Sequence, residues 1–132
     1  MLYKHEFLYS FTIFICFFYL FAGANHFINP EIYFPLIPDY LAKHKEWLNI
    51  LAGLAEVVVA LLMLKKETIK LASFLTIAML LAFIPSHIHF ILKGNLQIAG
   101  FTITPLIAWI RLVVVHPMLL YWAWWLGKNY CK

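Results

Sequence analysis

Four apolar runs, each long enough to cross a bilayer as a helix, fill most of this 132-residue chain. A spanning helix needs about 20 predominantly apolar residues, and the runs cover roughly residues 7–24, 47–64, 71–92 and 106–126. They are continuous rather than alternating, which argues against a membrane barrel, whose lipid-facing and lumen-facing residues alternate. Helices satisfy every backbone group within the segment, as the hydrocarbon core demands. The expected fold class is therefore all-α integral membrane: a four-transmembrane-helix bundle forming one domain over 1–132, with an outer loop carrying a short interfacial helix.

Composition agrees. Hydrophobic residues make up 64% and charged residues 12%, and the mean hydropathy is +0.85. So little polar side chain cannot cover a water-facing surface, and the chain is too apolar to be disordered. The net charge is +4, but the lysines cluster at the ends of apolar runs, where they set orientation rather than bind nucleic acid. Lys4, Lys65, Lys66, Lys70, Lys128 and Lys132 fall on one side, Lys43, Lys45 and Lys93 on the other. That balance predicts both termini in the cytoplasm. Trp47 and Trp109 would mark the outer interface, and Trp122, Trp124 and Trp125 the inner one. Lys4, an apolar run and Ala22-Gly23-Ala24 also read as a signal peptide. The run exceeds the usual core of about 7–15 residues, and its removal would leave three spans, so it is read as a retained helix.

The first outer loop, Asn25 to Glu46, is aromatic and proline-rich with few charges. Either it is a stiff connector or it covers a site at the outer end; Pro38-Asp39 opens a short polar helix from Tyr40 to Glu46.

Ionisable residues within spans are costly and face protein or water, so each is a candidate for function. Glu56 lies nine residues into the second run, about 13 Å deep at the helical rise. Gly53 and Ala60 share its face and allow a neighbouring helix to approach closely. Arg111, about 9 Å from the outer end of the fourth run, is its natural partner, because arginine keeps its proton and must find acceptors. The third run carries Pro85-Ser86-His87-Ile88-His89. Two histidines two residues apart point to nearly opposite helix faces; His87 is the deeper, and His89 lies near the outer end. Glu56, His87 and Arg111 are the catalytic candidates, and Asn25, His26, His89 and His116 the binding candidates. His116-Pro117 is also a candidate kink. For each of these, a hydrogen-bond clamp between helices is the competing structural role. No HxxxH, CxxC or carboxylate cluster points to a metal, and none is expected. Cys16 and Cys131 are too far apart along the expected topology to form a bridge.

The order of motifs resembles the DoxX-like family of small four-helix bacterial membrane proteins. The resemblance rests on Gly23-Ala24-Asn25-His26-Phe27-Ile28-Asn29-Pro30-Glu31-Ile32-Tyr33 with Pro38, on Gly53-Leu54-Ala55-Glu56, on Phe83-Ile84-Pro85-Ser86-His87-Ile88-His89, and on Trp109-Ile110-Arg111-Leu112. The family often continues Arg-Leu-Pro-Leu-Gln in the last helix; here Val113-Val114-Val115 follows, then His116-Pro117. The resemblance implies a redox-associated inner-membrane protein with an oxidoreductase partner, and a loose architectural likeness to membrane proteins that handle quinones, thiols or sterols; a quinone or another flat lipophile is the leading ligand. The competing functions are a non-enzymatic assembly or transport module, with or without self-association, and a lipid isomerase using Glu56 and a histidine as acid and base.

Overall fold

The computed structural model describes residues 2–130, with side chains from Glu6 onward; Cys131, and with it the expectation about a bridge, lies outside the described residues. Four helices are long and apolar enough to cross a membrane. They run as α1 (Leu2–Ile28), α2 (Lys45–Met63), α3 (Ile69–Lys93) and a fourth rod assembled from α4 (Pro105–Ile110), a π-helical turn (Arg111–Val115) and α5 (His116–Asn129).

Each helix carries one buried stripe. On α2 it is Asn49, Gly53, Glu56, Ala60 and Met63, the three-to-four-residue spacing of one helical face. The rest of each surface is apolar and exposed, as at Phe14, Phe17, Leu54, Leu61, Phe74, Leu81 and Val114. At the end of the bundle that carries the termini, Ile15, Cys16, Tyr19, Val59, Met63, Ala72, Leu80, Leu119 and Leu126 form a closed core. Trp122 belongs to this core, with its ring edge-on to Phe11 at 5.7 Å. It is not an interface residue as expected, because it falls on the stripe with Leu119, Ala123 and Leu126. Trp47, Trp109 and Trp124 are exposed.

Two features depart from the expected outline. The loop between α3 and α4 is a hairpin, β1 (Leu96–Ile98) with β2 (Phe101–Ile103), paired antiparallel with Gln97 opposite Thr102. Its two-residue turn places Ala99 at φ 51° and Gly100 at φ 81°, the left-handed geometry that tight hairpins require. The fourth rod widens at Arg111–Val115, where the His116 N–H bonds the Arg111 carbonyl five residues back. Pro117 supplies the cause: it has no N–H, and its ring would crowd the carbonyl four residues earlier, a clash the wider turn relieves.

The loop between α1 and α2 folds into three 3-10 turns, Pro30–Ile32, Phe34–Leu36 and Asp39–His44, the last running directly into α2. The expected separate polar helix is thus a 3-10 lead-in to α2. Prolines at 30, 35 and 38 break longer helix and favour such short turns.

Candidate functional site

Away from the packed end, α2, α3 and α4 line a cavity of about 910 Å³. Its walls are largely aliphatic. Ile32, Leu36, Ile37 and Leu41 of the loop between α1 and α2 roof it, and Ile98 and Ile103 of the hairpin flank the same space. The loop is therefore a cover rather than a bare connector. Leu51, Leu54, Val58 and Ile107 line the cavity and are also exposed on the bundle surface, so its mouth has an apolar rim on the side of the rod.

Polar atoms enter this space from every wall: His26, Tyr33, Glu56, Ser86, His87 and Arg111. His26 is fixed most firmly. Its carbonyl would ordinarily bond the N–H of residue 30, but that residue is proline. Asn49 of α2 takes the place, donating Nδ2 to the His26 carbonyl at 2.8 Å. The same amide turns Oδ1 to His26 Nδ1 at 2.6 Å. An amide oxygen only accepts, so Nδ1 carries the proton and Nε2 of the neutral ring is a bare acceptor. Tyr33 stacks on the imidazole, with centroids 3.6 Å apart and planes 18° off parallel. Asn25, itself held by Asn29, donates to the Tyr33 hydroxyl at 2.9 Å. Burial pushes that phenol up from its ordinary pKa, with the Asn25 hydrogen bond pulling the other way.

Glu56, 4% exposed, sits with Oε2 3.5 Å from His26 Nε2. That is ion-pair range but long for a hydrogen bond, and no hydrogen-bond partner among the described residues reaches this oxygen. The close approach exists because α1 and α2 cross at Gly23 and Gly53. A Cβ on Gly53 would lie 2.7 Å from His26 Cβ and 3.0 Å from the Gly23 carbonyl. The small-residue face read from the sequence thus brings in α1, and with it a histidine rather than the expected arginine. Arg111 lines the same cavity without an ion pair to Glu56 within 4.0 Å. It acts on Glu56, Tyr19, Tyr33 and His87 through space. It is the first residue of the π-helical turn, and π-turns are frequent at functional sites.

His87 and His89 part company as their spacing predicts. His87 faces the cavity, bonded to the backbone of Phe83 one turn earlier, while its Nε2 has no hydrogen-bond partner among the described residues. His89 points instead to the roof, with Nε2 4.0 Å from Asp39 Oδ1; Lys93 Nζ meets the other Asp39 oxygen at 3.0 Å. It does not line the cavity. His116 is likewise outside it. Its buried ring donates Nε2–H to the Leu80 carbonyl and packs edge-on against His87 at 4.8 Å, holding the fourth rod to α3 and backing the His87 ring. Asn25 acts through Tyr33 rather than on the cavity. No group of three or more His, Cys, Asp or Glu among the described residues is placed to hold a metal ion.

Residues 15–127 match the model of a protein family described as a domain of unknown function, DUF8561. The chain belongs to that family. No curated protein and no solved structure matches it. The site of this DUF8561 member also contains Asn49, which no sequence motif marked, and Tyr33, which the first motif includes without a site role. Asn49 was open to discovery, since it lies seven residues before Glu56 on the same stripe.

The Asp39 bridge to Lys93 ties the roof to α3 from an exposed position, Asp39 being 75% accessible. Such pairs contribute about 0–1 kcal/mol. Asp39→Ala is therefore expected to leave the unfolding midpoint nearly unchanged while raising amide exchange over residues 30–44 about threefold. Hydrogen-exchange mass spectrometry would measure this.

Proposed function

We propose that this chain is a multi-pass bacterial inner-membrane protein, with both termini cytoplasmic, that binds a flat lipophile and serves as the ligand-binding subunit of an oxidoreductase system. A quinone-class molecule is the leading ligand. The cavity carries this reading. Its volume of about 910 Å³ falls within the range of small-molecule sites, which are apolar with a few convergent polar groups. Its rim of Leu51, Leu54, Val58 and Ile107 is exposed on the bundle side, where acyl chains would lie, so a lipid-soluble molecule could pass in laterally. Glu56, His87 and Arg111 would hold its polar head, and the carboxyl and imidazole suit proton movement. The DoxX-like resemblance supports the redox association, and the redox centre would belong to a partner protein.

A second reading, an assembly module with a structural polar cluster, is favoured by one observation. The His26–Asn49 pair fastens α1 to α2 through two hydrogen bonds, as a clamp would.

Mass spectrometry of lipophiles copurifying with wild type, Glu56→Gln and Arg111→Ala separates the two. Ligand binding predicts a stoichiometric lipophile in wild type, reduced about tenfold or more in both variants, a loss on the scale of one charged hydrogen bond, with folding retained. If no lipophile copurifies and both variants lose thermal stability, the cluster is structural.

A further inference from the structure

The proposed ligand site has a definite hydrogen-bonding polarity, which selects the chemistry of the head group. At His26, Asn49 Oδ1 takes the Nδ1 proton, leaving Nε2 as an acceptor turned to Glu56 Oε2 at 3.5 Å. At His87, the Phe83 backbone engages the ring and Nε2 is the nitrogen without a hydrogen-bond partner. A carbonyl can only accept, so the engaged Nδ1 is the donor and Nε2 of the neutral ring is again an acceptor. Glu56 Oε2, on a side chain 4% exposed and facing the cavity, also has no hydrogen-bond partner among the described residues. Two buried atoms without a partner, Glu56 Oε2 and His87 Nε2, thus face one apolar chamber, with the bare Nε2 of His26 beside the first, and buried polar atoms of this kind are costly to leave unpaired. Of the other polar groups on the wall, the Tyr33 hydroxyl lies between Asn25 and the Ala22 carbonyl, both ends of the Asn49 amide are held by His26, and Ser86 adds a hydroxyl that can donate or accept. Arg111 is the cationic donor on the wall.

We propose that the site selects a lipophile whose head is a hydroxyl donor, a phenol or, within the quinone class, the reduced hydroquinone form, over the corresponding carbonyl or ether. This deepens the lipophile-binding reading and rests on it. A hydroxyl oxygen can sit beside the His26 Nε2–Glu56 Oε2 pair, because atoms 3.5 Å apart can both be reached at hydrogen-bond distance from one oxygen at the apex of a triangle. It donates to one, and when Glu56 is protonated it accepts from the other. A quinone carbonyl offers acceptors to acceptors at His26 and His87 and finds donors at Arg111 and Ser86. Head-group orientation would follow from the same polarity, with the hydroxyl toward α1 and α2 and any second oxygen toward Arg111.

The test uses two ligands with the same octylphenyl body, 4-octylphenol and 4-octylanisole, in which a methyl group replaces the donor hydrogen of the hydroxyl. Their dissociation constants are measured by equilibrium dialysis against the full chain in lipid nanodiscs, for wild type and His87→Phe. Wild type is expected to bind the phenol about tenfold tighter, and His87→Phe to lower that ratio by threefold or more while still binding both. Glu56→Gln, which replaces an acceptor with a group that also donates, is expected to reduce the ratio again. Equal binding of the two ligands, or tighter binding of the anisole, overturns the hydroxyl selectivity while leaving the lipophile site intact. If neither ligand binds wild type above empty nanodiscs, the lipophile site itself falls. The wild-type comparison stands even where a variant fails to fold.

Discussion

Gly53→Val is expected to lower stability by about 3 kcal/mol and to abolish ligand retention. A Cβ at this position would meet His26 Cβ at 2.7 Å, the Gly23 carbonyl at 3.0 Å and Phe27 Cε2 at 3.0 Å. Two of these contacts are main chain or fixed to it, so the helices must separate rather than a side chain swing aside. Separation breaks more than packing. It pulls His26 away from Asn49 and from Glu56, all three being held across this single crossing. The steric test at Gly127 gives a milder result. A Cβ there meets Ser73 Cβ at 3.0 Å and its Oγ at 3.3 Å, and the Ser73 hydroxyl already bonds within its own helix. Gly127→Ala is the control for a tight glycine remote from the cavity. A midpoint shift for Gly53→Val well above that of Gly127→Ala, followed by thermal unfolding in detergent, is the expected result. Equal shifts would mean that the Gly23–Gly53 crossing has no special role.

The helices were legible because length and hydropathy decide them: each run is continuously apolar over about 20 residues rather than alternating, and a helix satisfies its backbone groups within the segment. Depth was legible too, so Glu56, His87 and Arg111 reach one cavity. What sequence could not fix was rotation. A difference of one residue along a helix turns a side chain by about 100°, and that separates an arginine that faces Glu56 from one that only shares its chamber. The π-helical turn after Ile110 adds to this, since it resets the phase of everything beyond it. His116 accordingly turns to the Leu80 carbonyl. The hairpin was a different kind of omission. Leu96-Gln97-Ile98 and Phe101-Thr102-Ile103 alternate around Ala99-Gly100, which is a two-residue turn signal, masked by the apolar composition on both sides. The roof over the cavity depends on contacts between the loop and α2 and α3, and prolines at 30, 35 and 38 announce turns without saying where they lie.

Asn49→Leu is expected to cost about 3 kcal/mol, although the side chain it introduces is more apolar and nearly the same size. The reason is that one amide serves two groups of a single histidine. Pro30 cannot supply the N–H that the His26 carbonyl needs, and the Nδ1 proton has Asn49 Oδ1 as its acceptor at 2.6 Å. Removing the amide leaves both buried, and each unsatisfied group costs about 1–3 kcal/mol. A purely apolar accounting predicts the opposite sign, so the direction of the shift alone decides between the two. Histidine nitrogen NMR on selectively labelled protein adds a readout that packing loss would not move. Wild type is expected to show His26 with a protonated Nδ1 and a bare Nε2. In Asn49→Leu, with the acceptor gone, the proton is expected to pass to Nε2, where Glu56 Oε2 waits 3.5 Å away. The variant would then present a donor where wild type presents an acceptor, and a hydroxyl head group would lose its match even in molecules that remain folded. An unchanged tautomer in a folded Asn49→Leu protein would show that Glu56 or the stacked Tyr33, rather than Asn49, sets the protonation of this ring.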